Sequence, residues 1–517
     1  MRVKEPLLLL MNWLEVTMSR KRIISGNIKY SAVSQGIVFV INLALFPFIV
    51  SHVGKEIYGI YLLVMTFTGY LGVLELGVTA AVTKYVAELT AKEDNDGAAK
   101  IVSASLSLYF IIGLVAATVL FVLSFYFDRI FIIEAGNKLL MRQLFWTASA
   151  ASVLIWPGKI FIRVLDGFQR YDWLAAINIV SAVGTGIAAF LIFNRGLGIL
   201  YFLILSYLFI ILKYAGAYIV GRYYLLKSDI IFPYFKKEAF GKIFSFSSFL
   251  FLSNLVGLFI FDFDDFIIGT FVSVSAITVY GAGFSLQRGF RAINSLIGSP
   301  LFPAGADMEG RGEHAEQKYL LFKGTKYMTM VFIPLVIVAI TFAEVFIYNW
   351  LGPDFAGGVL PAQILLAFWL FNNTTEVGSG LLVTKGYVKI IFKITALTAL
   401  LNVGLSLILV KPLGILGVAL GTTIPMILVG FPLTLRQILK VFKTSFREFF
   451  NVAIKKNLGV YFFAAVLSFL SLIIFRSPNI FFTIGQMGII YAIVMLVGFR
   501  FFLSPEERNE ILLMIRP

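Results

Sequence analysis

The chain has 517 residues, 59% of them hydrophobic and only 14% charged, with a formal net charge of +15 and a mean hydropathy of +0.91. That apolar excess is too large for one soluble core and too evenly spread for a single anchor, so a soluble globular protein is excluded. With no cysteine and two distant histidines, His52 and His314, disulfides, thiolate chemistry, Cys-ligated metals and a His-rich metal site drop out as well.

The first 27 residues begin with Arg2, Lys4 and the apolar run Pro6–Met11, which imitates a signal peptide. The run is short, Asn12 and Glu15 close it, and no small-residue cleavage site follows. The segment reads as a cytoplasmic extension, with Met18 an alternative start because Ser19–Arg22 is a natural flank for a first helix. Fourteen apolar stretches of bilayer length follow, at 28–50, 57–80, 101–127, 142–162, 173–193, 197–219, 243–268, 276–299, 327–347, 358–383, 390–410, 414–435, 457–475 and 480–502. None shows the ten-residue alternation of a barrel strand, and helices satisfy their own backbone in lipid. The expectation is an all-α polytopic membrane protein whose loops are too short to hold a catalytic domain.

Lysine and arginine set the orientation. With the N-terminus in the cytoplasm, inside segments carry about 33 basic residues and outside loops about 7. Only Lys29, Arg288 and Arg291 are left inside spans. The even count places both termini in the cytoplasm, and the basic excess is a membrane signature with no nucleic-acid partner implied.

Three short matches recur in order. Tyr58-Gly59 pairs with Tyr280-Gly281, Gly167-Phe168 with Gly386-Tyr387, and Leu197–Leu200 with Leu413–Leu416, at offsets of about 222, 219 and 216 residues. The matches imply two copies of a six-helix unit in the same orientation, an N-lobe at 28–220 and a C-lobe at 243–440. A basic linker at 221–242 joins them, and 441–517 holds two extra helices and a tail. Two such pseudo-symmetric lobes are an alternating-access plan, with the substrate expected between them.

The stretch His52–Tyr61, then Leu74-Glu75-Leu76-Gly77 and Lys84-Tyr85-Val86-Ala87-Glu88, resembles the polysaccharide flippase family. These are the O-antigen and capsule (Wzx-type) exporters of the multidrug/oligosaccharidyl-lipid/polysaccharide superfamily. Asp265–Gly269 with Tyr280-Gly281 resembles the same family's second-lobe start. The resemblance implies transport of a polyprenyl-diphosphate-linked oligosaccharide across a prokaryotic cytoplasmic membrane. It also implies no cofactor beyond a sodium or proton gradient, no chemistry on the substrate, and partners limited to the lipid-linked sugar, membrane lipids and polysaccharide-assembly proteins. The two-lobe plan needs only a monomer.

Charges inside spans are the site candidates, since each costs about 2.5–3.5 kcal/mol near the bilayer centre on insertion scales. Arg288 and Arg291 share a helix face and suit a diphosphate, although they also fit as ordinary cytoplasmic anchors. Lys29 and Lys84 add positive field at the cytoplasmic mouth, or snorkel to headgroups. Asp262, Asp264 and Asp265 crowd the outer half of the seventh span. Close carboxylates call for a counter-cation, which makes them candidates for ion coupling; the bland reading is a helix that ends earlier. Spacing puts Asp262 and Asp265 on one face and Asp264 on another. Glu376, in the polar break Asn372–Glu376, lines a cavity or packs between helices. Glu75 and Glu344 fall within spans or at their ends, and Asn42, Asn178, Asn254 and Asn402 read as packing.

Three other classes stay open, one of them a passive scaffold or scramblase, under which the in-membrane charges are hard to explain. A cation-coupled multidrug exporter of the same superfamily would favour acidic and aromatic residues around organic cations, which intramembrane arginines repel. A membrane glycosyltransferase or polymerase needs a loop with paired carboxylates or another acid–base set, and none is found.

Overall fold

In the computed structural model, residues 4–509 are described except 76, 223–227, 237, 239, 241–262, 299, 300 and 476. Every regular element among them is helical. Helix α1 spans Lys4–Tyr70, α2 Val78–Ala91, α3 Asn95–Leu123, α4 Lys138–Gly167, α5 Tyr171–Asn194 and α6 Ile199–Val220. Then come α7 (Asp264–Phe271), α8 (Val274–Gly298), α9 (Leu301–Gly310), α10 (His314–Leu351), α11 (Val359–Thr384) and α12 (Val388–Leu413). Last are α13 (Ile415–Pro425), α14 (Phe431–Val441), α15 (Leu458–Ile474) and α16 (Ile480–Val497).

Among the described residues, eleven helical stretches are long and apolar enough to cross a membrane. The first, Lys29–Glu75, has 47 residues, about 70 Å of helix at 1.5 Å per residue and twice the hydrocarbon core. It breaks at Gly54, where φ is 81° and ψ 167°, and so supplies the first two expected spans. The eighth expected span is α8. Most of the seventh, residues 243–262, lies outside the described residues. The protein is a multi-pass α-helical membrane protein.

The second expected span is not one helix. It leaves α-geometry at Tyr70, tightens into a 3-10 turn over Leu71–Glu75 and restarts at Val78. Gly77 makes the restart with φ 73°, a left-handed conformation that a side chain would strain. Non-helical backbone at membrane depth persists where it faces protein or a cavity, and the break delivers Glu75 to such a cavity.

The chain forms two compact units. The first holds residues 1–129 and 134–254, the second 130–133 and 255–517. In the first unit, Val78, Ala81, Val82 and Val86 of α2 pack with Ala98, Ile101 and Val102 of α3 and with Trp156, Ile160 and Val164 of α4. Lipid is as apolar as these side chains, so close van der Waals fit holds the helices together. At Gly158 a Cβ would stand 2.6 Å from the Tyr214 side chain; only glycine lets α4 and α6 approach so closely. Part of the expected linker is tied to α3, where the Ile231 and Tyr234 N–H groups donate to Ser103 and Ser107 Oγ at 2.9 and 2.8 Å.

In the second unit, α10 is the post against which α15 and α16 pack. Polar bolts fix both ends. Asn349 Nδ2 donates to the Ser477 carbonyl at 3.0 Å and to Thr483 Oγ1 at 2.9 Å. At the other end Lys326 Nζ meets Glu507 Oε1 and Oε2 at 2.6 and 2.7 Å, and Asn457 Nδ2 donates to the Lys326 carbonyl at 2.8 Å. Burial works against the Glu507 carboxylate. Lys326, the Ser504 N–H and Lys323 outweigh it and hold its pKa down to about 2.

Candidate functional site

Helix α4 carries Lys159, Arg163 and Asp166 at intervals of four and three residues, which puts all three on one face. That face lines a cavity of about 450 Å³ in the first unit. Glu75 and Thr79 close it from the helix break and α2, Ser31, Ser34 and Gln35 from α1, Tyr171 and Asn178 from α5, and Lys213 and Tyr214 from α6. The close approach at Gly158 brings Lys159 and Lys213 to the same chamber.

The charges are arranged unequally. Lys159 Nζ lies 2.7 Å from Glu75 Oε1 and 4.1 Å from the Trp156 ring centroid. Arg163 Nη1 lies 2.6 Å from Asp166 Oδ2, while its buried Nε has no hydrogen-bond partner. Lys213 Nζ sits 5.1 Å from the Tyr214 ring centroid. No carboxylate pairs with Lys213 among the described residues. Three cations against two carboxylates leave the chamber at a formal +1. Around them stand hydroxyls and amides, a lining whose chemistry suits an anion that also carries hydrogen-bonding groups.

Sequence reasoning did not assemble this cavity. Glu75 and Asn178 stand out singly in the sequence, whereas Lys159 and Lys213 lie inside the expected spans 142–162 and 197–219 but close to their cytoplasmic ends, where counting assigns basic residues to the flanks. The structure places both within spanning helices. The readable signal was the i, i+4, i+7 spacing of Lys159, Arg163 and Asp166. Nothing local tells that Glu75 lies against Lys159.

The residues singled out from sequence lie elsewhere. Lys29 is exposed on α1, and Lys84 is exposed in the middle of α2, 5.0 Å from the Tyr85 ring centroid. Arg288 and Arg291 are both exposed on α8 of the second unit, as their shared face predicts, with Arg288 5.1 Å from the Phe284 ring centroid. Glu376 is part-buried on α11 and accepts from Asn372 Nδ2 at 3.1 Å. Asp262 lies outside the described residues.

Asp264 and Asp265 open α7, and Asp264 is the buried one, 2% exposed. Tyr280 donates its hydroxyl to Asp264, and Thr422 Oγ1 lies 3.1 Å from each carboxylate oxygen. Thr422 also stands 3.3 Å from Asn402 Oδ1, and Ser406 Oγ 3.3 Å from the same oxygen and 3.5 Å from the Val418 carbonyl. The set brings carboxylate, amide, backbone carbonyl and hydroxyl oxygens together. Its donor chemistry fits a hard cation such as sodium, and equally a proton.

A second, smaller cavity of about 200 Å³ lies in the second unit between α11, α12 and the stretch 426–434. Asn372, Thr375, Ser379, Thr395, Thr398 and Thr434 give it polarity without charge. Thr375, Thr395 and Thr398 already donate to carbonyls of their own helices.

Comparison with known proteins gives a consistent picture. Residues 24–309 match the family described as polysaccharide biosynthesis protein. A Shigella flexneri protein named as a candidate O-antigen transporter is 21% identical over 394 residues, 74% of this chain and 90% of that protein. The inward-facing structure of a multidrug resistance MATE family transporter of the MOP superfamily superposes with a TM-score of 0.68 at 16% identity, covering 79% of this chain and 96% of the other. The lipid II flippase MurJ, in an inward closed conformation, gives 0.67 at 17% identity over 92% of this chain and 99% of its own. At these identities the structural likeness establishes the fold.

Proposed function

The chain belongs to the polysaccharide biosynthesis protein family, and from that premise we propose that it carries a polyprenyl-diphosphate-linked oligosaccharide across a prokaryotic cytoplasmic membrane by alternating access, with both termini cytoplasmic. The observation that carries the reading is the convergence of Lys159, Arg163 and Lys213, all inside spanning helices, on one hydroxyl- and amide-lined cavity. Basic side chains at that depth are costly to insert and are retained where they contact a substrate or a cavity. A diphosphate supplies the anion, and the guanidinium fork of Arg163 matches its oxygens. Sugar hydroxyls match Ser31, Ser34, Gln35 and Asn178. Arg288 and Arg291 are a second contact, on the second unit. The cavity's formal +1 disfavours the organic cations of a drug exporter, and the reading is transport without catalysis.

The Asp264 set would bind the sodium ion or proton whose gradient drives the cycle, through Asp264, Asn402, Ser406, Thr422 and the Val418 carbonyl. Sodium binding is read directly, as a shift in thermal unfolding of the purified protein in sodium against potassium chloride. Loss of that shift in Asp264→Asn is expected.

The test of transport uses purified protein in liposomes with a fluorescent polyprenyl-diphosphate oligosaccharide, followed by its accessibility to an added membrane-impermeant reagent. Protein-dependent translocation that falls in Arg163→Gln and Lys213→Gln is expected. Equal translocation in protein-free liposomes, under sodium and proton gradients alike, would sink the reading.

A further inference from the structure

The cavity's two acids are unexplained by a site for an anion. Their plain role would be to neutralise Lys159 and Arg163, since an uncompensated charge is costly to bury. The geometry carries a further role. Each pair is made through a single carboxylate oxygen, Glu75 Oε1 to Lys159 and Asp166 Oδ2 to Arg163. Neither pair is sealed: Lys159 and Glu75 side chains are 28% and 23% exposed, Arg163 and Asp166 42% and 12%. Arg163 also keeps a spare donor at Nε. A ligand therefore reaches both cations without unfolding anything, and Lys213, which has no carboxylate among the described residues, offers an unopposed first contact.

Resting on the anion-carrying reading above, we propose that Glu75 and Asp166 are built-in competitors of the substrate's anionic group, which it displaces from Lys159 and Arg163 on binding and which retake those cations to expel it. Lys213 draws the anion in. A ligand bearing two negative charges turns the chamber from a formal +1 to −1, so the displaced carboxylates push against it at close range. A cavity of three unopposed cations would hold a diphosphate tightly and release it slowly. A transport site must bind well enough to load and weakly enough to leave, as conduction sites do. The competing groups of every lining element are these: Glu75 from the break before α2, Lys159, Arg163 and Asp166 from α4, Tyr171 from α5, Lys213 and Tyr214 from α6, and the neutral Ser31, Ser34 and Gln35 from α1.

The two roles give opposite signs. If the acids only neutralise, removing one weakens the site along with the fold. If they compete, removing one tightens it. The experiment titrates inorganic diphosphate into the purified full-length protein by calorimetry, with thermal unfolding recorded for every variant. Glu75→Gln and Asp166→Asn are each expected to bind about fivefold tighter than the parent, the size of a partly solvated ion pair, with slower dissociation in proportion. Either variant suffices if the other does not fold. Folded variants that bind as the parent does, or more weakly, overturn the competitor role while leaving the anion site standing. A parent that binds no diphosphate, or binds it no better than Lys213→Gln does, overturns both the competitor role and the anion site beneath it.

Discussion

Two lysine–glutamate pairs of almost the same length do opposite things in the two units. In the first unit, Lys159 and Glu75 meet at 2.7 Å with both side chains about a quarter exposed to a cavity. In the second, Lys326 and Glu507 meet at 2.6 Å with 3% and 10% of their side chains exposed. Distance does not separate them; access does. A sealed pair is a bolt, because breaking it strands a charge. An open pair is exchangeable, because a ligand can take either partner. The cavities repeat the contrast. Both use the fourth, fifth and sixth helices of their repeats, yet one is charged and the other neutral. At the repeat offset of about 219 residues, Lys159, Arg163 and Asp166 correspond to Gly378, Leu382 and Lys385, so the charged face of α4 has no counterpart on α11.

The contrast is broken first at the charged cavity. Arg163→Gln or Lys213→Gln is expected to cut liposome translocation at least about tenfold, the worth of one charge-assisted contact. Ser379→Ala and Thr398→Val, in the neutral cavity, should change it less than about twofold by the same measure. Equal losses in both cavities would mean that charge does not set their roles.

Next comes the sealed pair. Lys326→Met takes the nearer cation from Glu507, leaving Lys323 at 3.5 Å and the Ser504 N–H, and is expected to cost about 3 kcal/mol of stability, read as a lower thermal midpoint in detergent. The double change Lys326→Met with Glu507→Leu should recover most of it, as replacing a whole buried pair does. A midpoint unmoved by Lys326→Met would show that the pair holds nothing. The same bolt responds to acid. With Glu507 held down to about 2 against an ordinary 4.5, its stabilisation is full above 4.5 and fades as pH falls toward 2. The parent's midpoint should therefore drop over that window more than the double variant's does. The smallest effect is expected for Arg288→Ala and Arg291→Ala, which line neither of the two cavities: about a threefold loss of translocation, sharpened if it grows as salt is lowered.

Much of this was legible in the chain. Apolar length located thirteen of the expected helices among the described residues, because bilayer thickness fixes the length of a span whatever packs against it. The Leu74–Gly77 motif marked a family, but its structural meaning, a helix break held by a left-handed Gly77, is hidden in a run that hydropathy reads as continuous. Asp264 is one of the three acids singled out in the seventh span. Thr422 and Asn402, which join it, lie 158 and 138 positions away and give no local sign of it. Lys159 and Lys213 were misplaced for a specific reason: basic residues near helix ends are normally cytoplasmic flanks, and one-dimensional counting has no depth axis.

By itself, then, the sequence determined that the protein lives in a membrane, that it crosses many times as helices and which family it joins. Each of these depends on composition, period or short motifs, all local. Only the tertiary structure decided which charges meet, because Glu75 and Lys159 are separated by 84 positions and are brought together by a helix break and by the approach of α4 to α6 at Gly158. It also decided which pair stays open and which is sealed, since access is a property of neighbouring helices and is written in no single one of them.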